Sequence, residues 1–265
     1  MDLQAVLLAP ALKASALYYR TKLCVHNFTI YDCTTRDVAC YVWHEAEGGL
    51  TANEFASCVC HYIESDLTPK EFIIFSDGCS YQNRNSTISK ALTRLAQTKN
   101  ITITHKFLEK GHTQMEVDSV HHMIEEKIKN KYVYCPSDYV RFIKEARQNP
   151  CPYSVEYLDY SFFQDYTEVC GLKSIRPGRK PGDAQVADIR CLQYTPDGCI
   201  LFKLVHDEDW KELIVRGNST SIKHQPKPLF SSQRQIAAAK FKHLQELKPV
   251  IPKDIHGFYD SLPHE

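Results

Sequence analysis

EFIIFSDGCSYQNRN, residues 71–85, is the stretch on which the fold turns. Its first six residues, Glu71-Phe-Ile-Ile-Phe-Ser76, make a nearly continuous apolar run, which predicts a buried strand at the centre of a sheet. The run ends at Asp77-Gly78, and a carboxylate at the C-terminal end of a central strand stands where open α/β sheets place their sites. Asp77 also reads as a plain turn-former before glycine. Beyond it lie Gln82, Asn83 and Asn85. Amides beside a carboxylate can hydrogen-bond phosphate oxygens or orient a metal-bound water; the alternative is a solvated approach to the next helix.

Outward from this stretch, two β-rich runs at residues 22–31 and 38–44 flank a turn at Asp32–Asp37 and predict a hairpin. Residues 51–66 place Phe55, Val59, Tyr62 and Ile63 at helical spacing, with Thr51 and Glu54 as a capping box. After the central run, residues 86–98 predict a helix capped by Ser86. Residues 101–107 predict a strand and residues 115–129 a helix. With residues 2–9 as a first strand, the order is β-β-β-α-β-α-β-α. That order leads to an α/β fold of the ribonuclease-H-like kind, a mixed sheet flanked by helices, with the 71–76 strand central and parallel to the first. Residues 1–134 form this core. Only Met1 precedes Asp2, so the first strand reads as truncated. Residues 135–265 read as an appendage: a short helix at 137–147, a hairpin turning at Thr195-Pro-Asp-Gly198, a helix over 231–248 and a docking tail.

Composition narrows the classes. The chain has 265 residues, 43% hydrophobic and 24% charged, with no formal net charge, which is ordinary globular composition rather than disorder. No apolar run reaches the roughly 18–20 residues of a membrane span, and the N-terminus lacks the basic start of a secretory signal. A nuclear or cytoplasmic protein is therefore expected, not a secreted or membrane one. The 11 cysteines are odd in number and include no Cys-x-x-Cys, so they read as reduced core thiols. Charge is uneven: residues 170–250 hold 14 Lys/Arg against 8 Asp/Glu, and residues 1–169 hold 17 against 21. The basic part contains the loop Arg176-Pro-Gly-Arg-Lys-Pro-Gly182, where Arg176, Arg179 and Lys180 can lie along a polyanion or form a solvated face. The expected partner is DNA, or RNA.

Two further carboxylates join Asp77. Gly111-His112-Thr113 leads to Asp118 in the first turn of the 115–129 helix. His112 can transfer a proton near a phosphate or make a structural hydrogen bond. Asp118 can ligate a metal or answer the helix dipole. Asp2, on the first strand, can face Asp77 across the sheet. Asp2, Asp77 and Asp118 together can hold two divalent ions, Mg²⁺ or Mn²⁺, about 4 Å apart.

FSDGCSYQNRN (75–85) and GHTQMEVDSVHHMIEE (111–126) resemble a family of transposon-derived proteins known only as a domain of unknown function. Asp2-Leu-Gln4 resembles its first-strand Asp-x-Gln. The tail is similar too, with Lys240, Leu244 and Leu247 in a Lys-x-x-x-Leu-x-x-Leu pattern before Ile251-Pro252 and Phe258-Tyr259. The wider likeness, to transposases and integrases with a ribonuclease-H-like core, implies Asp2, Asp77 and Asp118 as metal-binding catalytic residues with His112 nearby. It implies metal-dependent DNA cleavage or strand transfer. The alternative is a catalytically idle relic that binds nucleic acid or protein. No Gly-x-Ser-x-Gly and no Gly-x-x-x-x-Gly-Lys-Ser/Thr occurs, which argues against a serine hydrolase of that type and against P-loop nucleotide hydrolysis.

Overall fold

A computed structural model of the chain describes residues 1–13, 19–109, 111, 114–215 and 220–265. In chain order the elements begin β1 (Asp2–Leu3), β2 (Leu7–Ala9), β3 (Leu23–Tyr31), β4 (Val38–His44), α1 (Ala52–Ser65), β5 (Glu71–Ser76), α2 (Ser86–Lys99) and β6 (Thr102–Phe107). They continue with α3 (Glu116–Ile128), α4 (Pro136–Ala146), β7 (Ser154–Tyr157), β8 (Gln164–Asp165), β9 (Cys191–Tyr194) and β10 (Ile200–Lys203). The last are β11 (Lys211–Glu212), β12 (Lys227–Pro228), α5 (Ala238–Glu246) and α6 (His256–Asp260). None of the helices is long and apolar enough to cross a membrane among the described residues. Two units emerge: Met1–Gly49, Met115–Phe162 and Phe230–Glu265 form the first, and Leu50–Gln114 with Phe163–Leu229 the second. This division runs differently from a boundary at residue 134, because segments on both sides of that point enter each unit.

The first unit is built on the β3–β4 hairpin, in register from Tyr31↔Val38 to Val25↔His44. Its turn forms because Asp32 Oδ1 accepts from the Thr34 and Thr35 amides at 2.7 and 3.1 Å. The sheet order is β1-β3-β4-β7, with β7 parallel to β4. Residues 2–9 do not form one strand. β1 pairs Asp2 with Thr29, and β2 pairs Leu7 with Val25 on the same β3 edge. Between them, the buried Gln4 takes a hydrogen bond from Asn27 Nδ2 at 2.9 Å.

Two apolar clusters hold this unit. One joins Val25, Val38 and Val42 of the hairpin to Val120 and Ile124 of α3 and Phe142 and Ile143 of α4. The other joins Leu23 to Leu244, Leu247, Tyr259 and Leu262 of the C-terminal segment. Leu23, Leu244 and Leu247 are fully buried, each contributing roughly 1.5–3 kcal/mol from removal of apolar surface from water. The Lys-x-x-x-Leu-x-x-Leu spacing thus has a physical basis. Leu244 and Leu247 enter the core, and Lys240 pairs with Glu45 at 2.6 Å.

The second unit contains a five-stranded sheet ordered β11-β10-β9-β6-β5. Here the structure corrects the sequence reading: the 71–76 strand is an edge strand. Among the described residues β5 pairs only with β6, in parallel, and is neither central nor paired with the first strand. Alternate residues of the run fit an edge position, since Ile73 and Phe75 are 58% and 43% exposed and the strand is not buried on both faces. The β9–β10 hairpin takes the other side of β6, in antiparallel register from Ile103↔Tyr194 to Lys106↔Cys191. That hairpin, expected in an appendage, therefore completes this sheet. Mixed sheets and helices make the chain α/β; the strand order is not a ribonuclease-H arrangement of one sheet around a central 71–76 strand. On one face, Ile103, Phe107, Leu192 and Tyr194 are buried, as are Ile88, Leu92 and Leu95 of α2. Helix α1 starts as predicted, with Thr51 and Glu54 in a capping box. α2 is capped one residue earlier than predicted, by Asn85, whose Oδ1 accepts from the Thr87 and Ile88 amides at 3.0 Å.

Candidate metal centre

Asp118 is the third residue of α3 and His121 follows three positions later, so both side chains lie on one helical face. β1 is held on β3 with Asp2 opposite Thr29. The result is a cluster in which one ligand atom from each of Asp2, Asp118 and His121 lies within 4.8 Å of the others. All three belong to the first unit. The sequence reading picks Asp118 and misses His121; the signal that could have found it is its place three residues after Asp118 on the same helix.

Local chemistry prepares these groups for a cation. His121 is buried, and that burial pushes its imidazole down to about 4, against the upward pull of the Asp118 and Glu125 carboxylates. It is therefore neutral at pH 7, with a lone pair to give. Its Nε2 shares a hydrogen bond with Thr29 Oγ1 at 3.1 Å, a contact that orients the ring. Asp118 is exposed and its Oδ2 accepts from the Met115 amide at 2.7 Å, a helix-start bond that fixes the carboxylate. Asp2 Oδ1 accepts from the Leu3 amide at 2.8 Å. Two carboxylates and one neutral imidazole can hold a divalent metal ion.

The other predicted residues lie elsewhere. Asp77 belongs to the second unit, at the end of the β5 edge strand. Its Oδ1 accepts from Asn83 Nδ2 at 2.7 Å and from the Cys79 amide at 3.1 Å, so it organises its own loop. Asn83 is buried by that role, and its Oδ1 has no hydrogen-bond partner among the described residues. Gln82 is also buried and donates to Tyr81 Oη at 3.0 Å. Asn85 is engaged in capping α2 and in bonds from Nδ2 to the Ser80 and Tyr81 carbonyls. Arg84 ties the loop down through the Gly78, Ala187 and Ile189 carbonyls at 2.7–2.9 Å. A Cβ on Gly78 would meet Arg84 Nη2 at 2.0 Å, so glycine leaves room for the guanidinium. The amide run thus reads chiefly as loop architecture. His112 lies outside the described residues.

The basic loop is presented as expected. Arg176, Arg179 and Lys180 are exposed and enter no ion pair among the described residues. Asp183 Oδ2 accepts from the Arg179 and Lys180 amides at 2.9 and 2.7 Å, which holds the backbone while the cations point outward. All 11 cysteines are free. No protein-family model, no curated protein and no solved structure matches the chain.

Proposed function

We propose that the chain binds a divalent cation at Asp2, Asp118 and His121 and uses it for phosphoryl transfer on DNA, as a nuclease or strand-transfer protein. The observation that carries this reading is the convergence of those three ligand atoms within 4.8 Å. Mg²⁺ and Mn²⁺ are the candidate ions, and the imidazole favours Mn²⁺, because Mg²⁺ prefers all-oxygen octahedral sites. When bound, such an ion supplies Lewis-acid chemistry, polarising a phosphodiester oxygen and lowering the pKa of water. The two carboxylates supply the charge that retains it, His121 a neutral nitrogen, and Thr29 the orientation of the ring. Arg176, Arg179 and Lys180 supply phosphate contacts that hold the backbone without reading its sequence. A protein so used works in the nucleus or cytoplasm.

One observation favours the second reading, an idle relic that binds nucleic acid without cutting it. The Met115 amide already occupies Asp118 Oδ2, a structural task that needs no metal. A titration separates the readings. Mn²⁺ at a hundred times its Kd is expected to stabilise the full chain by about 2.7 kcal/mol. Asp118→Asn is expected to abolish that gain, and nicking of supercoiled plasmid with it. An undiminished Mn²⁺ stabilisation in Asp118→Asn removes the proposed centre. A stabilised wild type that never nicks DNA leaves the binding role.

A further inference from the structure

The second unit's sheet has one face packed by α2 and another that is not accounted for by the metal centre. On that second face the pairing sets Phe75, Lys106, Cys191 and Lys203 in one row across β5, β6, β9 and β10. Residues directly opposite each other in paired strands project to the same side. The next row is Ile73, Thr104, Gln193 and Leu201. A cleft of about 590 Å³ lies over these rows and is also lined by His206 and Trp210. Phe75 and Ile73 are 43% and 58% exposed there.

Each lysine is set beside an aromatic ring. Lys203 Nζ lies 4.7 Å from the Trp210 ring centroid, and Lys106 Nζ 5.5 Å from that of Phe75. Neither lysine is in an ion pair among the described residues. Cys191 between them is nearly closed to solvent, so it spaces the cations without offering a thiol. With strands about 4.8 Å apart, the two lysines stand roughly 10 Å from each other across the sheet. The acidic lining residues are Glu71, four positions back along β5 from Phe75, and Asp207 beside His206. The Phe75–Lys203 row itself carries only positive charge.

We infer that this row, with Trp210, is a binding surface for single-stranded nucleic acid. Cations flanked by aromatic faces are what such strands require: ammonium groups track the phosphates and rings accept unstacked bases. A duplex keeps its bases stacked inside and cannot use the rings, so the aromatic half of the row selects a single strand. The inference rests on the nucleic-acid reading above for choosing this polyanion over others. It does not involve Asp2, Asp118 or His121, so its test is made in EDTA, where loss of the metal centre has no bearing.

The chain has two tryptophans, Trp43 fully buried in the first unit and Trp210 half-buried at the cleft. An oligothymidylate dodecamer added to the full chain in EDTA at 50 mM salt is expected to quench the emission of Trp210. Two phosphate contacts give a slope near −1.4 for a single strand, so raising the salt to 200 mM weakens binding about sevenfold. Lys106→Gln or Lys203→Gln should each cut that salt effect to about 2.6-fold. Lys203→Arg should keep the sevenfold effect. Trp210→Phe should lose the quench while fluorescence anisotropy of labelled oligonucleotide still reports binding. Absence of quenching at 50 mM salt overturns the inference. So does a salt effect unchanged in both glutamine variants with unaltered far-UV circular dichroism, or thymidine monophosphate binding as tightly as the dodecamer.

Discussion

Replacing Lys240 by Met tests how the C-terminal helix is fastened to the β3–β4 hairpin. Lys240 Nζ bonds both oxygens of Glu45, at 2.6 and 2.7 Å, and Glu45 Oε1 also accepts from the Cys24 amide at 2.7 Å. The two side chains are only 19% and 23% exposed, between a surface pair, worth about 0–1 kcal/mol, and a buried one, whose breaking costs about 3–5 kcal/mol. Methionine keeps the packing of the lysine stem and removes the charge, so the loss isolates the carboxylate left with one amide partner. The expected loss is about 2–3 kcal/mol, in line with hydrogen bonds to charged groups. Urea unfolding of the full chain, read as the midpoint at constant slope, measures it. Adding Glu45→Gln to Lys240→Met should recover at least about 1 kcal/mol, since the stranded charge is then gone. A single-variant loss below about 0.5 kcal/mol would show the pair to be ordinary surface, and the fastening would then rest on the apolar cluster around Leu244 and Leu247 and on contacts such as Arg20–Glu246.

Acid should destabilise the fold above the usual carboxylate range. Burial lowers His26 and His44 to about 4 and His105 to about 3, so all three are neutral when folded and take up protons on unfolding below 6.5. Their contribution is complete above pH 6.5 and falls as pH drops toward 4, by up to about 1.4 kcal/mol per unit for each histidine. Urea midpoints unchanged between pH 7.5 and 5 would contradict this. Asn85→Ala should cost about 1 kcal/mol through lost capping of α2 and should loosen the Asp77 loop, seen as faster amide exchange at Cys79 and Asn83. Replacing Arg176, Arg179 and Lys180 together by Ala should flatten the salt dependence of duplex binding by about 2.7 in slope, and unchanged salt dependence would leave the loop as solvated surface.

Local elements were legible where local chemistry decides them. The capping box at Thr51 and Glu54, the turn at Asp32 and the helix over Val117, Val120 and Ile124 each follow from neighbours within a few residues. The place of β5 was not, because the apolar run Phe72–Phe75 specifies a strand without specifying what lies beside it. β6 has two edges, and β9, nearly ninety residues downstream in sequence, takes the one away from β5. The candidate site was half legible. Asp2 and Asp118 stood out as carboxylates near element starts. Asp77 stood out equally, yet its oxygen serves Asn83 and Cys79. A carboxylate that only organises its loop and one set among other ligand atoms have the same sequence signature, and only the convergence of Asp2, Asp118 and His121 in space separates them.

The interleaving of the two units has a consequence for biosynthesis. The second unit is complete once residue 229 has been made, but the first still lacks Phe230–Glu265. Leu23, fully buried in a cluster with Leu244 and Leu247, then lacks the C-terminal part of its cover. At about 5–20 residues per second, the missing stretch takes on the order of 2–7 seconds to synthesise. Throughout that interval the β3–β4 hairpin carries an unfinished apolar surface on the nascent chain. A chain truncated at residue 229 therefore exposes apolar surface that the C-terminal segment covers in the full chain.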